Sequence, residues 1–106
     1  MIRKAFLMDV KPGKIDEYEN VHNPIWPELH QALKTHGIHN YSIFYHEKTN
    51  QLFGYMEIED EGKLKEMAGN EVCKKWWLYM KSFLVSDRKD APKAKEEEMR
   101  EVFYMD

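Results

Sequence analysis

The chain has 106 residues, enough for one domain (1–106) with a modest core, and 16 basic against 19 acidic side chains leave a net charge of −3. Charges of both signs are interspersed, which excludes the basic footprint of a nucleic-acid binder. A single cysteine, Cys73, forms no internal disulfide and suits a reducing cytoplasm, while no signal-peptide h-region opens the chain and no apolar run reaches membrane-spanning length.

In chain order, Ile2 to Val10 reads as a strand ending at Lys11-Pro12-Gly13, with apolar residues on both sides. Lys14 to Val21 reads as helix. It meets His22-Asn23-Pro24-Ile25-Trp26-Pro27-Glu28-Leu29, which breaks the helical pattern with two prolines at a cost of about 3 kcal/mol each inside a helix. The break holds His22 and Trp26 at a bend. Asn23 is expected to cap the second segment with Pro24 at its first position; Ile25, Leu29, Ala32 and Leu33 then share a face, and Gly37 ends the helix.

His39 to His46 and Gln51 to Ile58 read as a hairpin around a polar turn. Tyr41, Ile43 and Tyr45 alternate with Phe44 on the first strand, and Phe53 and Tyr55 with Leu52, Met56 and Ile58 on the second. Asp60 opens a short helix through Ala68, broken at Gly69-Asn70. Glu71 to Leu84 is a longer helix, with Val72, Cys73, Trp76, Trp77, Met80, Phe83 and Leu84 at helical spacing. Ser86 to Glu97 reads as an exposed connection, and Met99 to Met105 as a closing strand.

The succession is β-α-β-β-α-β, the split βαβ pattern of a ferredoxin-like α+β domain. Two helical layers cover one face of a four-stranded sheet. The bare face asks for a partner, and a second copy of the same sheet, in a symmetric homodimer, is the simplest one.

Tyr18 and His22 are four apart and share a helix face. An imidazole titrates near neutrality, so catalysis by His22 stands beside a purely structural buried contact. Trp76 and Trp77 diverge by about 100° on their helix. Core packing for both competes with a flat apolar wall for a sugar ring, to which Tyr41 adds a hydroxyl. His30, His36, His39 and His46 fit no zinc spacing, and no phosphate loop or nucleophile elbow appears, so no metal is expected.

Taken together, Arg3-Lys4-Ala5-Phe6, the proline-bearing block from His22 to Leu29, His36-Gly37 with His39-Asn40-Tyr41, Cys73-Lys74-Lys75-Trp76-Trp77 with Tyr79-Met80, and Glu101-Val102-Phe103-Tyr104 resemble the L-rhamnose mutarotase family almost from end to end. The resemblance implies a dimeric α/β barrel and a cytoplasmic, cofactor-independent isomerase that interconverts the anomers of L-rhamnose. It implies His22 as proton donor, with Tyr18, Tyr41, Trp76 and Trp77 on the sugar. Two other classes remain open at this point: a cofactor-free monooxygenase on the same fold, which asks for a mostly apolar cavity, and a non-catalytic dimeric binding module.

Overall fold

A computed structural model describes residues 1–106. The strands are β1 (Ile2–Asp9), β2 (Ile38–His46), β3 (Gln51–Ile58) and β4 (Glu97–Met99), in one sheet of order β2-β3-β1-β4 with every neighbouring pair antiparallel. The helices are α1 (Ile15–Val21), α2 (Pro27–Thr35), α3 (Glu61–Glu66) and α4 (Glu71–Met80), with a 3₁₀ turn at Met67–Gly69. The expected β-α-β-β-α-β succession is present, and the fold is a small α+β sheet-and-helix sandwich.

Alternation along the strands divides the sheet into two faces. Phe6 and Met8 of β1 and Leu52 and Ile58 of β3 are buried toward the helices, where they meet Tyr18, Leu29, Cys73 and Trp76. Ile58 and Cys73 have no accessible surface. Full burial of a side chain such as Ile58 stabilises the fold by about 1.5–3 kcal/mol. On the other face Phe44 and Phe53 are 67% and 44% exposed, as expected for a sheet covered on one side only.

Phase is not uniform along β2. His39 pairs with Glu57 and Ser42 with Tyr55, so four residues of β2 oppose three of β3. The extra residue is a bulge at Asn40, whose φ of 48° is a left-handed conformation that asparagine tolerates. Its amide also donates to Glu57 Oε1 at 3.0 Å. The bulge reverses the alternation, bringing Tyr41 to the helix side, edge-on to Phe6 at 6.2 Å.

Two expectations need correction and a third is refined. The long helix stops at Met80 rather than Leu84, because the chain leaves it to pair with the end of β1: Lys11 N–H donates to Phe83 O at 2.8 Å and Val85 N–H to Asp9 O at 2.9 Å. Phe83 and Leu84 remain buried all the same. The closing strand is Glu97–Met99, not Met99 to Met105; beyond it Val102 and Phe103 are 81% and 77% exposed, and Arg3 holds the tail by a bidentate pair to Glu101 and a stack on the Tyr104 ring. Finally, 86–96 is exposed over most of its length, as expected, but it is a strap anchored to the body of the fold rather than a loose connection. Ala91 and Ala94 are buried, Lys81 Nζ donates to the Lys89 and Ala91 carbonyls at 2.6 Å each, and Lys95 N–H donates to Val85 O at 3.0 Å.

Candidate active site

The site begins where α1 runs out of backbone partners. The His22 N–H turns back to Glu19 O at 3.2 Å, so the Tyr18 carbonyl loses its ordinary i+4 donor. The imidazole takes its place, with Nδ1 2.6 Å from Tyr18 O. A carbonyl only accepts, so this contact assigns the hydrogen to Nδ1 and leaves the lone pair of the neutral ring on Nε2.

Asn23 does the same for the next carbonyl, its Nδ2 donating to Glu19 O at 2.8 Å. Asn23 therefore closes α1 and does not open α2. The N-cap of α2 is Trp26 and its first residue is Pro27, correcting the expected Asn23-Pro24 cap. The Asn23–Pro24 peptide is cis.

Aromatic rings pack around the imidazole. The Tyr18 ring lies 4.1 Å from it, and Trp76 meets it edge-on at 5.1 Å. Trp26 meets Trp76 edge-on at 4.9 Å and stacks on Tyr79 at 5.8 Å. Such pairs add about 0.5–1.5 kcal/mol each beyond their burial, so the site is assembled by the same contacts that hold α1, α2 and α4 together. Trp76 is 7% exposed and belongs to the core. Trp77, on the next face of α4, is half-buried, with Lys93 Nζ 5.1 Å above its ring.

Burial sets the protonation states. It lowers His22 below the ordinary imidazole range, partly offset by the bond to the Tyr18 carbonyl. The ring is therefore neutral near pH 7. Burial, and then the charge of Glu96, raise the Tyr18 phenol. Tyr41 is raised in the same way, by burial and then by Tyr18 and Glu96. Both phenols stay protonated as hydrogen-bond donors.

All five residues singled out in the sequence — Tyr18, His22, Tyr41, Trp76 and Trp77 — line one cavity of about 670 Å³ between the sheet and the helices. Tyr18, His22, Tyr41 and Trp76 also line an adjoining groove of about 1090 Å³. The floor is Phe6, whose ring lies across Gly54 on the neighbouring strand, where a β-carbon would collide with it. The walls are mostly apolar, and hydroxyl, imidazole, ammonium and carboxylate groups give a polar fringe able to hydrogen-bond a small polyhydroxylated ring.

Sequence reasoning did not place Phe6, Lys93 or Glu96 in the cavity. Nothing local marks them, since each arrives by strand pairing or by the strap. The other four histidines are dispersed. His36 Nδ1 contacts Lys63 O, His39 Nε2 contacts Glu59 at 2.6 Å and His46 Nδ1 contacts Thr49, while His30 lies on α2.

A family model described as L-rhamnose mutarotase matches residues 3–105. Proteins named L-rhamnose mutarotase from Oceanobacillus iheyensis and Opitutus terrae are 52% and 50% identical, each over the whole of both chains. The crystal structure of an L-rhamnose mutarotase from Formosa agariphila superposes with a TM-score of 0.88 at 36% identity, covering all of both chains. A conserved protein from Methanosarcina mazei shares the fold, with a TM-score of 0.64 at 22% identity over 92% of this chain and 89% of its own.

Proposed function

The chain belongs to the L-rhamnose mutarotase family, and from that premise we propose that it is an isomerase interconverting the α and β anomers of L-rhamnopyranose, with His22 carrying the proton and Tyr18, Tyr41, Trp76 and Trp77 holding the sugar. The observation that supports this most is the tied imidazole: Nδ1 is committed to the Tyr18 carbonyl, and the free Nε2 belongs to a ring at the cavity wall.

The chemistry follows from that state. Nε2 takes the proton of the anomeric hydroxyl. The bond from the anomeric carbon to the ring oxygen breaks, and its electron pair goes to the ring oxygen, which receives the proton from the imidazolium so formed. His22 is thus the proton donor to the ring oxygen, after it has first been an acceptor. The open aldehyde rotates about its bond to the next carbon, and the same two transfers in reverse close the ring on the other face. Both oxygens hang on one carbon, so a single imidazole reaches both. A positioned acid/base of this kind contributes typically ~10²–10⁴-fold. The step consumes no cofactor. Trp76 and Trp77 offer apolar faces to the ring C–H groups, and the phenols donate to its oxygens.

The reading extends to a cytoplasmic homodimer in which residues 1–106 act as one domain. Two bare sheet faces, with Phe44 and Phe53 toward the β2 edge, and an apolar tail at Val102 and Phe103, give each copy a surface for the other and close the pair into an α/β barrel. Light scattering at micromolar concentration should give about twice 12.8 kDa.

Saturation-transfer NMR on the anomeric protons of L-rhamnose tests the mechanism. Wild-type protein should transfer saturation between anomers, and folded His22→Ala or His22→Asn should lower the exchange at least about tenfold. Wild-type exchange in folded His22→Ala would remove His22 from the reaction.

A further inference from the structure

The acceptors that face the cavity are few. A sugar's ring hydroxyls each donate a hydrogen, whereas the indoles of Trp76 and Trp77 only donate and the two protonated phenols accept only as neutral oxygens, more weakly than an anion. His22 Nε2 is engaged with the reacting oxygen. One carboxylate lines the cavity, that of Glu96, and it comes from the strap.

Glu96 is firmly placed. It stands between two backbone anchors: Lys95 N–H donates to Val85 O at 3.0 Å, and Glu97 pairs with Leu7 in the β1–β4 ladder. Two residues further on, Glu98 reaches Lys4 Nζ at 3.2 Å, and Lys4 also meets Glu61 of α3 at 2.9 Å, which puts Glu98 on the helix side of the sheet. Strand alternation brings Glu96 to the same side. Lys93 then fixes the carboxylate, Nζ to Oε1 at 3.3 Å, while lying above the Trp77 ring. About a third of the Glu96 side chain, 35%, stays open to solvent, and the residue also lines the cavity. Its charge is felt at both Tyr18 and Tyr41, which line the same cavity.

We propose that Glu96 is a substrate-binding residue of this site: its carboxylate accepts hydrogen bonds from ring hydroxyls of the bound sugar, and Lys93 positions it against the Trp77 wall. The proposal rests on the sugar reading above and adds a discriminating contact to it. A carboxylate oxygen accepts from a hydroxyl at a particular place on the ring and has nothing to offer an analogue lacking it, so this contact selects among sugars that the aromatic walls would accept alike.

Glu96→Gln is the test, with binding followed by tryptophan fluorescence and folding checked by melting. It keeps the shape and removes the charge. The ligands are L-rhamnose and analogues each lacking one ring hydroxyl. Affinity for L-rhamnose should fall about tenfold (about 1.4 kcal/mol), the worth of one charge-assisted hydrogen bond at a partly solvated place. For at least one deoxy analogue, variant and wild type should bind equally. The proposal is overturned if Glu96→Gln binds L-rhamnose as the wild type does, or loses the same factor for every analogue. A folded wild type that binds none of the sugars would take down the sugar reading itself, whereas a wild type that binds beside an unaffected variant removes Glu96 alone.

Discussion

Placing a methyl group at Gly54 is the sharpest probe of how the cavity floor is built. Gly54 faces Phe6 in the β1–β3 register, and a β-carbon there would fall against Cζ, Cε1 and Cε2 of the Phe6 ring. The ring is 7% exposed and edge-on to Tyr41 at 6.2 Å, so its one free direction is into the cavity. Overpacking of this kind costs about 1–3 kcal/mol. The backbone at Gly54 is not left-handed, so alanine recovers about 0.4–1 kcal/mol through the unfolded chain. The net loss is then about 1–2 kcal/mol, a fall in melting temperature of roughly 5–12 °C for a chain of this size. Circular-dichroism melts at one fixed protein concentration measure it. The decisive comparison repeats Gly54→Ala in a Phe6→Leu background, where the colliding ring atoms are gone. There the substitution should be neutral or stabilising, a coupling within the range of about 0.5–3 kcal/mol for touching residues. Equal losses in both backgrounds would refute the ring-over-glycine account.

Further outcomes follow from the same geometry. Because burial lowers the His22 pKa, the base form is lost only on the acid side: anomer exchange should rise with pH through a midpoint below the ordinary value of 6.5 and then level off, and a midpoint above 6.5 would contradict the burial argument. Trp76→Ala should cost about 3–5 kcal/mol of stability in denaturant melts. Half-exposed Trp77→Ala should cost less stability and more sugar affinity, and equal purely structural losses would return both indoles to the core. Deleting residues 102–106 removes side chains that are mostly exposed within one chain, so a drop of the light-scattering mass toward that of a single chain would locate them in the dimer contact; an unchanged dimer with unchanged melting would not.

The fold was legible wherever side-chain periodicity decides the structure. β1 announces itself as an apolar run closed by a turn, and the β2–β3 hairpin and α4 through alternating or helically spaced apolar residues. Of the candidate residues, local geometry already groups Tyr18 with His22, one turn apart, and Trp76 with Trp77 on one helix; joining the two pairs, with Tyr41, in a single site came only from the family resemblance. What was misread depends on main-chain contacts with distant residues. A short polar side chain such as Asn23 suits the end of one helix as well as the start of the next, and it was the Glu19 carbonyl, which accepts from Asn23 at 2.8 Å, that decided. Val102, Phe103 and Tyr104 look like a strand, yet the ladder on β1 recruited Glu97–Met99, since an edge strand tolerates charge. The strap carries no periodic signal, because its shape comes from the Lys81 ammonium and the Val85–Lys95 bond.

That strap has a consequence for how new specificities could be engineered. Its two ends are joined at Val85–Lys95 and secured to β1 on both sides, at Asp9 and Leu7. The loop is therefore closed whatever its interior contains, and changing its length costs only about 0.6 kcal/mol of closure entropy per doubling. Residues 86–88, ahead of the Lys81 anchor at Lys89, can lengthen or shorten without touching the sheet, whereas Lys93 and Glu96 line the cavity. One wall of the pocket is thus a replaceable part, and a library confined to this loop would vary ligand preference while His22 and the aromatic box stay as they are.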